Sequence, residues 1–451
     1  VELYGRPIDA RKLAVVIVLL CVILIAALLF LPMGLVRLLL MGAFSLPILL
    51  FLFDRPEVVF YIFTFVVFSN VDVYSPIPVF QSITVFMVVT LALALVRGRE
   101  LAIPDTRFTL LIVAFVLLAF QSIAVARDLG SALHLFEELI KLIVPLVITL
   151  QFVHDRGQFR IFLIVMVAAI SVNNLLPLFV SVPEVYAGPA LIGSQGVFRY
   201  QGLIFEPNAI AFLQIFFIPL YLFLTGVYRK PFIARWVFVG VLLVSLAVIV
   251  MSFSRGSFIA FALLFLLFLY SERRNKTILF TGSVLIVIAV SLVPPSYIVR
   301  VRSIINALSN PSTDYPIYTR LVTSRVALHL GAENPITGVG IGNFLYHAPH
   351  YTSFPLVVHN VPLLIFSELG VLAFGVFVAM IVVNVKMLLK LAGRRDDREA
   401  SFLGRMLLLQ HAAVLVNAMF IPALYDHSFW YMLAMPSFAA FAYRSPPTGR
   451  K

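Results

Sequence analysis

The sequence predicts an all-α polytopic integral membrane protein, with about 12–14 membrane-crossing helices and one large extramembrane loop late in the chain. Three observations predict that class. Hydrophobic residues fill 62% of the 451 positions and charged residues only 12%, about half the charge of a soluble domain. Apolar runs of roughly 17–25 residues recur along the chain, the length that carries a helix across a bilayer core. Basic residues alternate between rich and poor connecting segments, as the positive-inside rule requires of a multi-pass chain. A membrane barrel is excluded, since its strands alternate polar and apolar residues at every second position.

Hydropathy places the spans at roughly 13–31, 37–53, 57–70, 80–96, 107–126, 133–152, 159–181, 207–225, 234–253, 256–270, 277–293, 361–385, 403–421 and 427–443. Those at 37–53, 57–70 and 256–270 are short, hence the range in the count. The first resembles the apolar core of a signal peptide, but no small-residue cleavage pattern follows it, so a retained helix is expected. Cys21, the single cysteine, lies within it and rules out an intramolecular disulfide.

With the N-terminus taken as cytoplasmic, roughly 24 of the 33 Lys and Arg fall on that side and about 8 on the other. This bias accounts for the net charge of +12 without a nucleic-acid partner. It puts both termini in the cytoplasm and divides the chain into an N-terminal bundle (1–293), an outward loop (294–360), and C-terminal helices with a short tail (361–451). The outward arginines then need a reason of their own. Insertion gains nothing from them, and charge at the end of an apolar segment is costly unless paired or used.

Arg199 precedes Glu206-Pro207-Asn208, where Pro207 fits the first turn of a helix and Glu206 its positive end. A capping carboxylate is the plainer reading of Glu206, whereas the planar guanidinium of Arg199 suits phosphate. Ser254-Arg255-Gly256 marks a second outward junction, its small residues allowing a tight turn and the close approach of another group. Arg255 is either a snorkelling side chain or, with Arg199, part of an anion site for a polyanionic lipid headgroup. In the loop, residues 318–331 can form a short helix with Arg325 and His329 at i,i+4 spacing, broken at Asn334-Pro335. Gly338, Gly340 and Gly342 read as a tight turn, because no strand or Walker lysine accompanies them. His347, His350 and His359 match no zinc signature. His359 stands at the start of the next span, where it is either an interfacial hydrogen-bonding histidine or a base for a hydroxyl proton. Glu368 follows nine residues later, about 13 Å away on a straight helix and out of direct reach. Glu137 and Lys141 read as a buried, self-neutralising i,i+4 pair.

In their order, Arg199, Gly202, Glu206-Pro207-Asn208, Ser254-Arg255-Gly256, Asn334-Pro335, Gly338-Val339-Gly340-Ile341-Gly342-Asn343-Phe344, His359-Asn360 and Glu368-Leu369-Gly370 resemble the O-antigen ligase superfamily. That group includes the lipopolysaccharide O-antigen ligases, the O-antigen polymerases and bacterial protein O-oligosaccharyltransferases. The motifs run from Arg199 to Gly370; the N-terminal half is similar only as spans.

The resemblance implies a GT-C-like glycosyltransferase of a Gram-negative inner membrane, with its active site at the periplasmic face. Its donor would be an undecaprenyl-pyrophosphate-linked glycan and, for a ligase, its acceptor a sugar hydroxyl of lipid A–core oligosaccharide, with no cofactor. Carried over to this sequence, Arg199 and Arg255 bind pyrophosphate and His359 activates the acceptor hydroxyl. Arg320 and Arg325 help hold donor or acceptor, and Glu206 receives no chemical role. The outward side carries no Asp-X-Asp pair, in keeping with a metal-independent, inverting transfer. A single large loop late in the chain favours ligase over polymerase. A protein O-oligosaccharyltransferase is the third option in the family. A lipid-linked glycan transporter, the reading from another class, would carry mid-membrane charges and broken helices in both halves.

Overall fold

The computed structural model describes residues 56–71, 84–85, 87–88, 106–179, 199–204, 206–228, 232–273, 310, 314–352 and 357–444. The spans expected at 13–31, 37–53 and 277–293, most of 80–96, and most of loop positions 294–313 lie outside the described residues. The chain divides into two compact units, residues 1–63 with 81–99, and residues 64–80 with 100–451. The second contains every candidate residue.

Among the described residues the structure is helical throughout. The helices are α1 (Pro56–Ser69), α2 (Thr106–Ser122), α3 (Leu129–Phe152), α4 (Arg156–Leu175), α5 (Pro207–Val227), α6 (Phe232–Met251), α7 (Arg255–Ser271), α8 (Tyr315–Glu333), α9 (Phe344–His347), α10 (Val361–Ala392), α11 (Arg398–Asn417) and α12 (His427–Ala442). The helices α2, α4, α5, α6, α10 and α11, counting the 3₁₀ turns that extend α2 and α4, are long and apolar enough to cross a membrane. With the shorter apolar α1 and α7, they make this an all-α polytopic membrane protein. Local sequence starts most of these helices. Asp128, Asp155, Glu206, Ser254, Asp314, Asn360, Asp397 and Asp426 each accept a backbone N–H from the first turn of the helix that follows, satisfying donors the helix itself leaves open.

The centre of the bundle is α5, buried along most of its length and packed on α4, α6, α7 and α11. Polar side chains set register inside this apolar packing. Asn174 and Gln214 exchange amide bonds of 3.0 and 3.1 Å between α4 and α5. Gln410 on α11 donates to the Phe216 carbonyl at 2.8 Å. At the end where α4 and α11 begin, Arg156 pairs with Asp397 and Arg160 with Glu399, and the Tyr443 hydroxyl donates to Glu399. On α3, Lys141 meets Glu137 at 2.9 Å and Glu138 at 2.8 Å. The expected i,i+4 pair is present, but as a partly exposed triad rather than a buried couple.

The longest helix, α10, is broken at Gly370, which has φ 79° and ψ −177°. The break exposes backbone groups, and residues 335–344 dock on them. Val339 N–H donates to Ser367 O and Gly340 N–H to Glu368 O, both at 2.9 Å, while Val371 N–H donates to Pro335 O at 2.7 Å. The Glu368 carboxylate accepts Gly342 N–H at 2.9 Å and Phe344 N–H at 3.1 Å. Asn343 then ties the loop to the turn before α3, accepting from Asp128 N–H at 2.7 Å and donating to Asp128 O at 3.0 Å. The glycine run is therefore a backbone clasp over a broken helix. A Cβ at Gly338 would stand 2.3 Å from the Glu368 carbonyl carbon.

Candidate active site

The helices α5, α7, α8 and α10 all bring their N-terminal turns into one polar network, and three of the four arginines singled out from sequence lie there. Arg199 lies on the segment leading to α5. Its Nε donates to Ser252 O at 2.8 Å and its Nη2 to Asn208 Oδ1 at 3.0 Å. Asn208 in turn donates to Glu206 Oε1 at 2.7 Å. Glu206 caps α5 through Ala209 N–H, so its capping role is as expected. The backbone turn that offers Ser252 O to Arg199 holds Phe253 at φ 52°, a left-handed conformation that is costly for a bulky residue. The Ser252 carbonyl and the Asn208 amide oxygen are neutral acceptors.

Arg255 opens α7 and is gripped differently. Its Nη1 donates to Asp314 Oδ2 at 2.6 Å and its Nη2 to Asp314 Oδ1 at 3.0 Å, with only 13% and 4% of the two side chains exposed. Gly256, next to it, lets Phe420 approach so closely that a Cβ would sit 2.5 Å from the Phe420 Cβ. The expected close approach of another group is therefore present. Asp314 also caps α8, the helix that carries Arg320 and Arg325. Arg320 is half-buried, and among the described residues its guanidinium makes no hydrogen bond or ion pair. Burial lowers its pKa, the charge of Arg255 lowers it further, and the carboxylates of Glu206 and Asp314 oppose both. Arg325 lies five residues on, about 140° around the helix, and is exposed. Arg320 alone of the two faces the other cations.

His359 precedes α10, half-buried. Its Nδ1 lies 3.0 Å from Val357 O. A carbonyl can only accept, so Nδ1 carries the proton and Nε2 is left as the basic nitrogen. Burial pulls its pKa below the ordinary imidazole value of 6.5 and the charge of Arg320 adds to this, against the Val357 bond and the Glu206 carboxylate. Asn360 beside it caps α10, accepting Leu363 N–H at 3.0 Å. Val361 N–H donates to Ala418 O at 2.9 Å, and Ser257 exchanges bonds of 3.1 and 3.3 Å with Asn417. These contacts tie the start of α10 to the start of α7 through the end of α11.

The structure thus connects Arg199, Arg255, Arg320 and His359, and leaves Arg325 aside. Asp314 is the residue that sequence reasoning missed. Its only local signal, an acid just ahead of Tyr-Pro, is that of a helix cap. Glu368 stays out of this network, as its distance from His359 along the helix suggested. Among the described residues no three His, Cys, Asp or Glu side chains gather to hold a metal.

Fold and site together define a multi-pass membrane protein with a cationic, histidine-bearing site at one end of its bundle. Residues 240–378 match the family model described as O-antigen ligase, a segment that holds Arg255, Asp314, Arg320 and His359 but not Arg199. That match supports a relation of this segment to the O-antigen ligase superfamily, a family whose activity is of a glycosyltransferase-like ligase type acting on lipid-linked glycan and lipid acceptor. No curated protein matches the chain.

Proposed function

We propose that this protein transfers O-antigen glycan from undecaprenyl pyrophosphate to a sugar hydroxyl of lipid A–core oligosaccharide, at the periplasmic face of the inner membrane. The observation that carries the reading is Arg320. It is a half-buried guanidinium that makes no ion pair among the described residues, electrostatically coupled to both Arg255 and a histidine whose free nitrogen is Nε2. A cation so placed is costly unless an anion completes it. Arg199, Arg255 and Arg320 neutralise the pyrophosphate, which makes it a good leaving group. Nε2 of His359 takes the acceptor hydroxyl proton as that oxygen bonds to the anomeric carbon. The bond from that carbon to the pyrophosphate oxygen breaks with its electron pair, and attack from the opposite side inverts the anomeric centre. The lowered pKa of His359 keeps it unprotonated, and so able to act as base, at neutral pH.

The test is transfer by purified protein in detergent, supplied with lipid-linked glycan and lipid A–core. Product on the core supports the ligase. Product only as a longer lipid-linked glycan would move the assignment to polymerase, and glycan on protein to an O-oligosaccharyltransferase. No product on any acceptor would overturn the reading in favour of transport.

A further inference from the structure

We propose that Asp314 is the positioning residue of this site: gripping Arg255 with one carboxylate and capping the helix that carries Arg320, it holds the two arginines side by side for one pyrophosphate. The proposal rests on the donor-site reading above. Its geometry is that of a joint between two helices. Both carboxylate oxygens meet both terminal nitrogens of Arg255, at 2.6 and 3.0 Å, which sets the guanidinium plane as well as its distance. The same Oδ1 accepts Ile317 N–H at 3.2 Å, and the Asp314 carbonyl accepts Ile317 and Tyr318 N–H at 3.0 and 2.9 Å. Arg320 stands six residues from that cap, so the first turns of α7 and α8 are joined at a single side chain.

The charges require such a joint. Arg255 and Arg320 repel one another in a partly buried setting, and Asp314 is the carboxylate that opposes this from between α7 and α8; Glu206 opposes it from the start of α5. His359 is the titratable group facing them from α10. The almost fully buried pair is not a latch that the ligand opens. Expelling Asp314 would leave a buried carboxylate unpaired and uncap α8 at once.

The experiment compares wild type, Asp314→Asn and the exchanged pair Arg255→Asp with Asp314→Arg, as full-length protein in detergent. Donor KM, kcat, inhibition by undecaprenyl pyrophosphate and the thermal midpoint are measured. Asn still caps a helix but loses the charged fork. Asp314→Asn should therefore raise the donor KM about tenfold or more and weaken inhibition to match, with the pH profile of kcat unchanged. The exchanged pair restores the ion pair but leaves α8 uncapped, so it should regain the thermal midpoint only in part, and not donor KM. A wild-type KM in Asp314→Asn, or an exchanged pair that recovers KM along with the midpoint, would overturn the proposal and leave Asp314 a plain strut. A wild type that transfers glycan but ignores undecaprenyl pyrophosphate would instead overturn the donor-site reading, and this proposal with it.

Discussion

One hydrogen bond sets the chemistry available to His359. With Nδ1–H committed to Val357 O, Nε2 is the nitrogen that can take a proton, and His359→Ala should cost about 10²–10⁴-fold in transfer with little change in the thermal midpoint. The pH dependence follows from the sign of the shift. Protonation removes the base, and the pKa lies below 6.5, so the acid limb of kcat should fall below that pH. Arg320 is one cause of the depression, so Arg320→Gln should move the limb upward, read at saturating donor because the same change weakens donor binding. A limb that stays put would remove Arg320 from the neighbourhood of the base. At Arg199 the fork reaches Ser252 O and Asn208 Oδ1 together. A lysine cannot span both, so Arg199→Lys should raise donor KM although the charge is kept.

Among the elements, α10 carries the largest local departure from regular structure. Gly370 holds φ 79°, and a Cβ there would lie 2.3 Å from Ile336 O. Gly370→Ala should therefore destabilise by at least about 1–3 kcal/mol from backbone strain alone, seen as a lower midpoint in detergent and faster proteolysis of 335–352. Glu368→Gln probes the same clasp more gently. The carboxylate accepts from Gly342 and Phe344 N–H, whereas an amide turns one donor against another, at about 1–3 kcal/mol for the group left unpaired. Glu368 is remote from His359 along the helix, so kcat of the surviving folded fraction should stay near wild type. A large loss of kcat with an unchanged midpoint would give Glu368 a chemical role instead.

For the whole molecule, the basic residues predict its sidedness. With Cys21 replaced by Ser, a cysteine at Tyr346 should react with an impermeant maleimide added outside cells whose outer membrane is permeabilised. One at Asp396 should react only after the inner membrane is opened. The reverse pattern would overturn that sidedness and put the site on the cytoplasmic face.

Much of this protein is local physics, and the sequence by itself determined that part. Apolar length defines a membrane helix wherever it occurs, and a cap such as Glu206 acts on the turn directly after it. Those signals separated loop from span and marked Arg199, Arg255, Arg320 and His359 as cations or bases without a lipid-sorting reason. Partners far apart in sequence were another matter. Arg255 meets Asp314 59 positions away, and Glu368 reaches back 26 positions to Gly342. Arg320 and Arg325 looked equivalent until α8 turned them to different faces. Only the tertiary structure decided these, because hydrophobicity directs a segment into the bilayer without regard to its neighbours. Which charges end up together depends on how the helix ends pack.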